Sequence, residues 1–172
     1  MNIEIHHEKT GLLVIDFQEK LAKAMPQDVL GEAVRNTQNI MYLAHQMGMP
    51  TIITEQYPRG LGPTIDALSE WTQNALGKTH FSAWKDTDIR QALMSVDRER
   101  WIIVGMETHI CVYQSARDLI KEGFNVWIPS DAVVSRRSAD RASGLALMRD
   151  CGAHLSCTEA ILFDCLKEAR GD

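Results

Sequence analysis

Three residues of types that perform covalent chemistry fall where short apolar runs end. Asp16 closes the run Gly11–Asp16, Lys78 closes the segment ahead of Phe81-Ser82-Ala83-Trp84, and Cys111 follows Trp101–Gly105 through Met106-Glu107-Thr108-His109-Ile110. A thiol at the start of a helix lies near unpaired N–H groups and the positive end of the helix dipole. With an ammonium beside it, its pKa is expected to be lowered and its thiolate fraction raised. A carboxylate can take the thiol proton and return it to a leaving group. The N–H groups of a turn before the helix can hold an oxyanion. Asp16, Lys78 and Cys111 therefore form a coherent set for a cysteine hydrolase.

Each member also has a plainer reading. An Asp at a strand end often anchors a loop or caps a helix, a lone Lys is usually solvated, and a free Cys is usually a small buried hydrophobe. Cys151 and Cys165 fall on helical faces and Cys157 in a cap, positions that suit structural roles. His80 and His109 flank the proposed site and either contact substrate or make structural hydrogen bonds. His6, His7, His45 and His154 show no metal-ligand spacing. By adjacency, Phe17, Gln18, Gln56, Tyr57, Phe81, Trp84, Glu107 and His109 are the candidates for a substrate pocket. Residue types alone leave three functions open: covalent hydrolysis, an idle ligand-binding or oligomeric scaffold of the same fold, and thiol redox chemistry at Cys111.

The elements that must position these groups follow from hydrophobic periodicity. Gly11–Asp16, Pro50–Thr54, Trp101–Gly105, Phe124–Ile128 and Ala153–Ser156 read as strands apolar on consecutive positions, as when both faces are covered. Gly31–Gly48, Cys111–Gly123 and Ser138–Gly152 read as amphipathic helices ending at glycine. On the last of these the stripe Ala142, Leu145, Ala146 and Arg149 is expected to face inward, whereas Arg117, Asp118, Lys121 and Glu122 are expected to face outward on the one before it. A final helix opens with the capping-box pattern Ser156-Cys157-Thr158-Glu159. Glu55–Trp84 reads as loop, a short helix at Thr64–Trp71 and a strand near Leu76–Thr79. Alternating strands and helices predict right-handed βαβ units and a parallel sheet covered on both faces, whose ligand crevice lies beyond the carboxyl ends of the strands.

The bulk numbers agree. The chain has 172 residues, 45% hydrophobic and 24% charged, which predicts one globular domain over 1–172. Its net charge is −5, with Lys and Arg scattered among Asp and Glu, so no basic face for nucleic acid is expected. No apolar run approaches the ~18 residues of a membrane span, and Met1–Lys9 carries no signal-peptide core. The four cysteines form no CxxC pair and read as reduced thiols, which makes the cytoplasm the expected compartment.

Three blocks carry a resemblance to a known family: Leu13-Val14-Ile15-Asp16-Phe17-Gln18, then Gly77 to Trp84 (GKTHFSAW), then Gly105 to Val112 (GMETHICV). In this order, and across about Thr10 to Leu166, the chain resembles the isochorismatase-like hydrolase superfamily. The resemblance implies a three-layer α/β/α fold with a six-stranded, mostly parallel sheet and a crevice between the first and fourth strands. It implies Asp16 as acid/base, Lys78 as catalytic lysine, Cys111 as nucleophile, and a cis peptide at Met106–Glu107 that turns the amides of Glu107 and Cys111 toward an oxyanion. It further implies a small-molecule substrate and a homo-oligomer. True isochorismatases lack the cysteine, so isochorismate is not the expected substrate. Nicotinamidases carry an Asp-x-His-x-x-x-His cluster where this chain has Gln56 and Pro58, so neither a catalytic metal nor another cofactor is expected. The stretch Thr-Glu-Gln-Tyr-Pro followed by Gly-Leu-Gly-Pro resembles the isochorismatase-domain proteins of unassigned substrate. The implied activity is hydrolysis of a small amide-like C–N bond through a thioester.

Overall fold

A computed structural model of the chain describes residues 4–71 and 74–169. In chain order the strands are β1 (Thr10–Ile15), β2 (Thr51–Gln56), β3 (Leu76–Lys78), β4 (Arg100–Met106), β5 (Asn125–Pro129), β6 (Val133–Val134) and β7 (His154–Ser156). The helices are α1 (Glu19–Ala24), α2 (Gln27–Gln46), α3 (Pro58–Leu61), α4 (Thr87–Ser95), α5 (Tyr113–Lys121), α6 (Ser138–Asp150) and α7 (Thr158–Leu166).

The two most apolar runs become the central strands. Every residue of β1 and β4 is buried, and they pair in parallel from Thr10 with Arg100 to Ile15 with Gly105. Successive side chains point to opposite faces, so each strand feeds two cores. Leu12, Val14, Ile102 and Val104 join residues of α2 and α7 such as Ile40, Met41 and Ile161. Leu13, Ile15, Trp101 and Ile103 join residues of α4, α5 and α6 such as Leu93, Leu119 and Met148. The result is a three-layer α/β/α arrangement with all strand pairs parallel.

Strand order is β3-β2-β1-β4-β5-β7, with β6 pairing the end of β4. The chain builds outward from β1 in one direction and from β4 in the other. This reversal opens a crevice at the carboxyl ends of β1 and β4. Gly105 lets the two strands meet there: its φ is +132°, and a Cβ would lie 2.1 Å from the carbonyl oxygen of Ile15. Any side chain at 105 would push β4 off β1 beside Asp16.

The expected three-layer sheet is present as a six-strand path, with the two-residue β6 added beside Gly105 and Met106, too short to show a period. Several other expectations require correction. α2 starts at Gln27, four residues before the expected start at Gly31. The capping box does not form, since Ser156 is already paired to Pro129 as the last residue of β7. Asp131 serves instead, its Oδ1 accepting from both the N–H (2.8 Å) and the hydroxyl (2.9 Å) of Thr158. On α6 the inward residues are Gly144 and Met148, with Leu145 half-buried, whereas Ala142, Ala146 and Arg149 are exposed. Alanine fits either face, so it misplaced the stripe. Asp118 on α5 is buried, not solvent-facing, and Arg117 donates to its Oδ1 from Nε at 3.0 Å. Burial pushes its carboxyl up, but the hydrogen bond and positive charge of Arg117, with the Ser82 side chain nearby, outweigh that and hold it below the ordinary range. No helix among the described residues is long and apolar enough to cross a membrane.

Candidate active site

Asp16 follows β1 in a left-handed conformation, φ 55°, which turns its carboxylate across the strand ends. Thr54, on β2, donates its hydroxyl to Asp16 Oδ1 at 2.8 Å. Lys78 closes β3 and brings its Nζ to 2.8 Å from Asp16 Oδ2, with both side chains wholly buried. The same ammonium donates to Gln56 Oε1 at 2.6 Å and to the carbonyls of Phe81 (3.2 Å) and His80 (3.3 Å). Cys111 Sγ lies 3.9 Å from that Gln56 Oε1. Three strand ends thus bring Asp16, Lys78 and Cys111 together, with the amide oxygen of Gln56 between ammonium and thiol.

Cys111 is not at the first turn of a regular α-helix. It lies in a π-helical turn, Thr108–Val112, that leads into α5, and the N–H groups of Ile110 and Val112 both donate to the carbonyl of Glu107. The Met106–Glu107 peptide is cis. α6 crosses this turn at Gly144, where a Cβ would come within 2.8 Å of the backbone of His109. The turn is therefore braced from behind by a helix that can approach only because residue 144 has no side chain.

The electrostatics differ from the sequence reading. Burial pushes the Cys111 thiol up to about 12, and the negative charge of Asp16 adds to this, against a smaller opposing effect of Lys78. The ammonium is paired with Asp16, so its favourable effect on a thiolate is outweighed. The thiol keeps its proton in the resting site.

A cavity of about 120 Å³ opens beside Cys111, walled by Leu21, Leu61, Phe81 and Ile110, with Gln56 and Glu107 at its polar edge. Of the expected pocket residues, Gln56, Phe81 and Glu107 line it. Phe17 is 1% exposed and belongs to the core under α2. Gln18 is wholly buried and braces the main chain: its Oε1 accepts from the N–H of Gln56 (2.7 Å), and its Nε2 donates to the carbonyls of Gln56 (3.0 Å) and Gly62 (2.7 Å). Trp84 is core, packed edge-on to Phe124 at 5.7 Å. Tyr57 is exposed and lines a second cleft, bordered by Lys78 and Thr79, with Pro58, Arg59 and Asp86. His109 points away from the thiol, with Nδ1 3.0 Å from Ser135 Oγ, into a polar cleft shared with Arg136, Arg137 and Asp140. His80 contributes through its carbonyl, while its ring pairs with Asp86 at 3.2 Å.

Sequence reasoning missed the walls Leu21, Leu61 and Ile110, and the partners Thr54 and Arg136. Arg136 donates from Nε to both oxygens of the buried Glu107 carboxylate at 3.2 Å, and from its backbone N–H at 3.0 Å. Ile110 adjoins Cys111 and could have been found by the adjacency that named Phe81. Leu21 and Leu61 reach the cavity only through loop geometry, which no local pattern encodes. Among the described residues no group of three or more His, Cys, Asp or Glu is arranged to hold a metal ion.

A parallel α/β sheet with a buried carboxylate, ammonium and thiol at its topological switch point defines a hydrolase-like architecture. The Isochorismatase domain family matches residues 10–160, and the chain belongs to that family of hydrolases. It is 35% identical over 160 residues to isochorismatase domain-containing protein 2 of Xenopus laevis, covering 92% of this chain and 77% of that one. Among solved structures it resembles the MAR1 ribonuclease of Caenorhabditis elegans, with TM-score 0.88 and 33% identity, covering 96% of this chain and 85% of that one. It also shares its fold with YcaC of Escherichia coli, an octameric hydrolase of unknown specificity, at TM-score 0.90 and 23% identity, covering 100% of this chain and 86% of that one.

Proposed function

We propose that this chain hydrolyses a small amide-like C–N bond through a thioester on Cys111. The observation that carries the reading is the wholly buried Asp16–Lys78 pair, whose ammonium shares Gln56 Oε1 with the Cys111 thiol. In this reading Asp16 accepts the thiol proton as the sulfur attacks the carbonyl carbon, and passes it to the departing nitrogen. Lys78 offsets the negative charge that Asp16 holds before attack and that the tetrahedral species holds after it. The backbone N–H groups of Glu107 and Cys111 are the proposed oxyanion donors. A thiol held protonated by burial suits a site that ionises it only during attack, and it spares an idle nucleophile from oxidation.

The test is acyl-enzyme trapping. Cys111→Ala is expected to abolish both turnover of small amides and any covalent adduct seen by intact-mass spectrometry. Undiminished turnover in that variant sinks the mechanism.

One observation favours a second reading, a ligand-binding protein with an idle site: a thiol raised to about 12 is a poor nucleophile on its own. The two separate on the pH profile of Cys111 alkylation. Assistance by Asp16 gives labelling at neutral pH that Asp16→Asn removes, and an idle thiol labels only in strong alkali in both proteins.

Phosphodiester cleavage, which the C. elegans relative's name suggests for that protein, has less support here. The cavity is small, no cationic residue lines it, and the Lys78 ammonium of the site is committed to Asp16, so incubation with single-stranded RNA is expected to leave it intact. Self-assembly is also part of the proposal, supported by the octameric E. coli neighbour and by the exposed Tyr42, Phe163 and Leu166. Light scattering of the purified chain reads it directly.

A further inference from the structure

We infer that the part of the substrate's acyl group seated beside the thiol is uncharged, apolar and no larger than roughly six non-hydrogen atoms, and that acyl groups bearing a carboxylate there are turned away. This rests on the reading of Cys111 as nucleophile and deepens it.

Size comes first. The cavity beside the thiol holds about 120 Å³. An engineered apolar cavity of about 150 Å³ in another protein just accepts benzene. Its walls are Leu21 from α1, Leu61 from α3, Phe81 from the loop after β3 and Ile110 from the π turn. Four separate elements set its width.

Charge comes second. A substrate carboxylate needs a cation with protons to give. Lys78 has three ammonium protons and four acceptors within 3.3 Å, namely Asp16 Oδ2, Gln56 Oε1 and the carbonyls of His80 and Phe81. The Gln56 side chain is committed as well, its Oε1 to Lys78 and its Nε2 to the carbonyl of Thr79 at 2.9 Å. Glu107 is the acidic residue along the wall, and its carboxylate is taken up by Arg136. The guanidinium groups behind it are turned to carboxylates, Arg136 to Glu107 and Arg137 to Asp140. With Asp16 paired to Lys78 and Glu107 to Arg136, a substrate carboxylate in this largely apolar cavity would find no uncommitted counter-charge.

The reaction balances without any group beyond water. A C–S bond forms as the C–N bond breaks, and the amine leaves with the proton that Asp16 took from the thiol. Water then adds to the acyl carbon, the C–S bond breaks, and its spare proton returns through Asp16 to the sulfur. A neutral amide and water become a carboxylic acid and an amine.

The experiment uses the full chain and alkylating probes, with exposed Cys157 as the internal reference. Iodoacetamide is neutral and small, iodoacetate is small and anionic, and 2-bromo-2-phenylacetamide is neutral and bulky. Labelling of Cys111 relative to Cys157, read by peptide mass spectrometry, cancels the intrinsic reactivity of each probe. The expected result is a Cys111/Cys157 ratio at least ten-fold higher for iodoacetamide than for either other probe. Leu61→Ala is expected to raise the ratio for the bulky probe alone. Equal ratios for iodoacetate and iodoacetamide overturn the charge selection, and equal ratios for the bulky probe overturn the size limit, while the nucleophile reading stands in both cases. If Cys157 is labelled and Cys111 takes none of the three, the nucleophile reading falls and this inference with it.

Discussion

Gln18 pairs with both main-chain polar groups of Gln56, accepting from its N–H at 2.7 Å and donating to its carbonyl at 3.0 Å. A side chain after β1 thus does for the last residue of β2 what a neighbouring strand would do. The side chain of that same Gln56 receives the Lys78 ammonium. Gln18→Ala leaves two buried main-chain groups unpaired, at ~1–3 kcal/mol each. At ~2–4 °C per kcal/mol for a chain of this size, the melting temperature is expected to fall by several degrees. Differential scanning calorimetry checks this, and an unchanged melting temperature rules out the bracing role.

The Asp16–Lys78 pair is buried on both sides, so its members are expected to be strongly non-additive. Removing one partner of a buried pair costs ~3–5 kcal/mol because the other charge is left uncompensated. Lys78→Met and Asp16→Asn should each destabilise by about that much, and the double variant by clearly less than the sum. Denaturant unfolding of the four proteins closes the cycle. Simple additivity would contradict a direct pair.

Gly144 offers a test in which a usual rule reverses sign. Within a helix, Gly→Ala ordinarily stabilises by ~1 kcal/mol. Here the added methyl would lie 2.8 Å from the backbone of His109, which cannot rotate away. Overpacking of this kind costs ~1–3 kcal/mol, so Gly144→Ala is expected to be net destabilising. It should also impair the chemistry, because the displaced turn carries Cys111. A variant more stable than the natural chain would show that α6 is free to move.

Alkaline stability follows from the two raised thiols. Cys111 lies at about 12 and Cys165 at about 11, both mainly through burial, against an ordinary value of 9.0. Below pH 9 both are protonated whether folded or not, so stability is undiminished. As pH rises from 9 toward 11 and 12, the unfolded chain releases protons that the folded chain keeps, and stability falls. Unfolding free energy is expected to drop more steeply over this window in the natural chain than in Cys111→Ala or Cys165→Ala. Parallel slopes in all three remove the thiols as the cause.

The sequence was most legible where burial is two-sided. β1 and β4 are apolar at nearly every position, and their expected bounds differ from the observed ones by a residue or so at each end. Asp16, Lys78 and Cys111 could be assigned to strand ends because ends are where such runs stop. What stayed hidden depends on tertiary geometry. Gln18 looked like a pocket residue because it neighbours Asp16, yet its direction is set by the turn at the left-handed Asp16. The thiol was expected to be lowered, whereas burial and then the charge of Asp16 raise it, because a sequence shows that a lysine is near but not how deeply the sulfur is buried. The face of α6 was missed because the decisive residue, Gly144, has no side chain to mark it.

Glu107 has a consequence for what happens after bond cleavage. The residue lies along an almost wholly apolar cavity, its carboxylate is taken up by Arg136, and no uncommitted cation lines that cavity. A neutral amide enters without meeting opposition. Hydrolysis then converts it, inside the cavity, into an anion among apolar walls with no uncommitted cation to hold it. The cost of keeping an unpaired charge there favours release of the acid. On this reading the acid product inhibits weakly, and turnover is not held back by its departure.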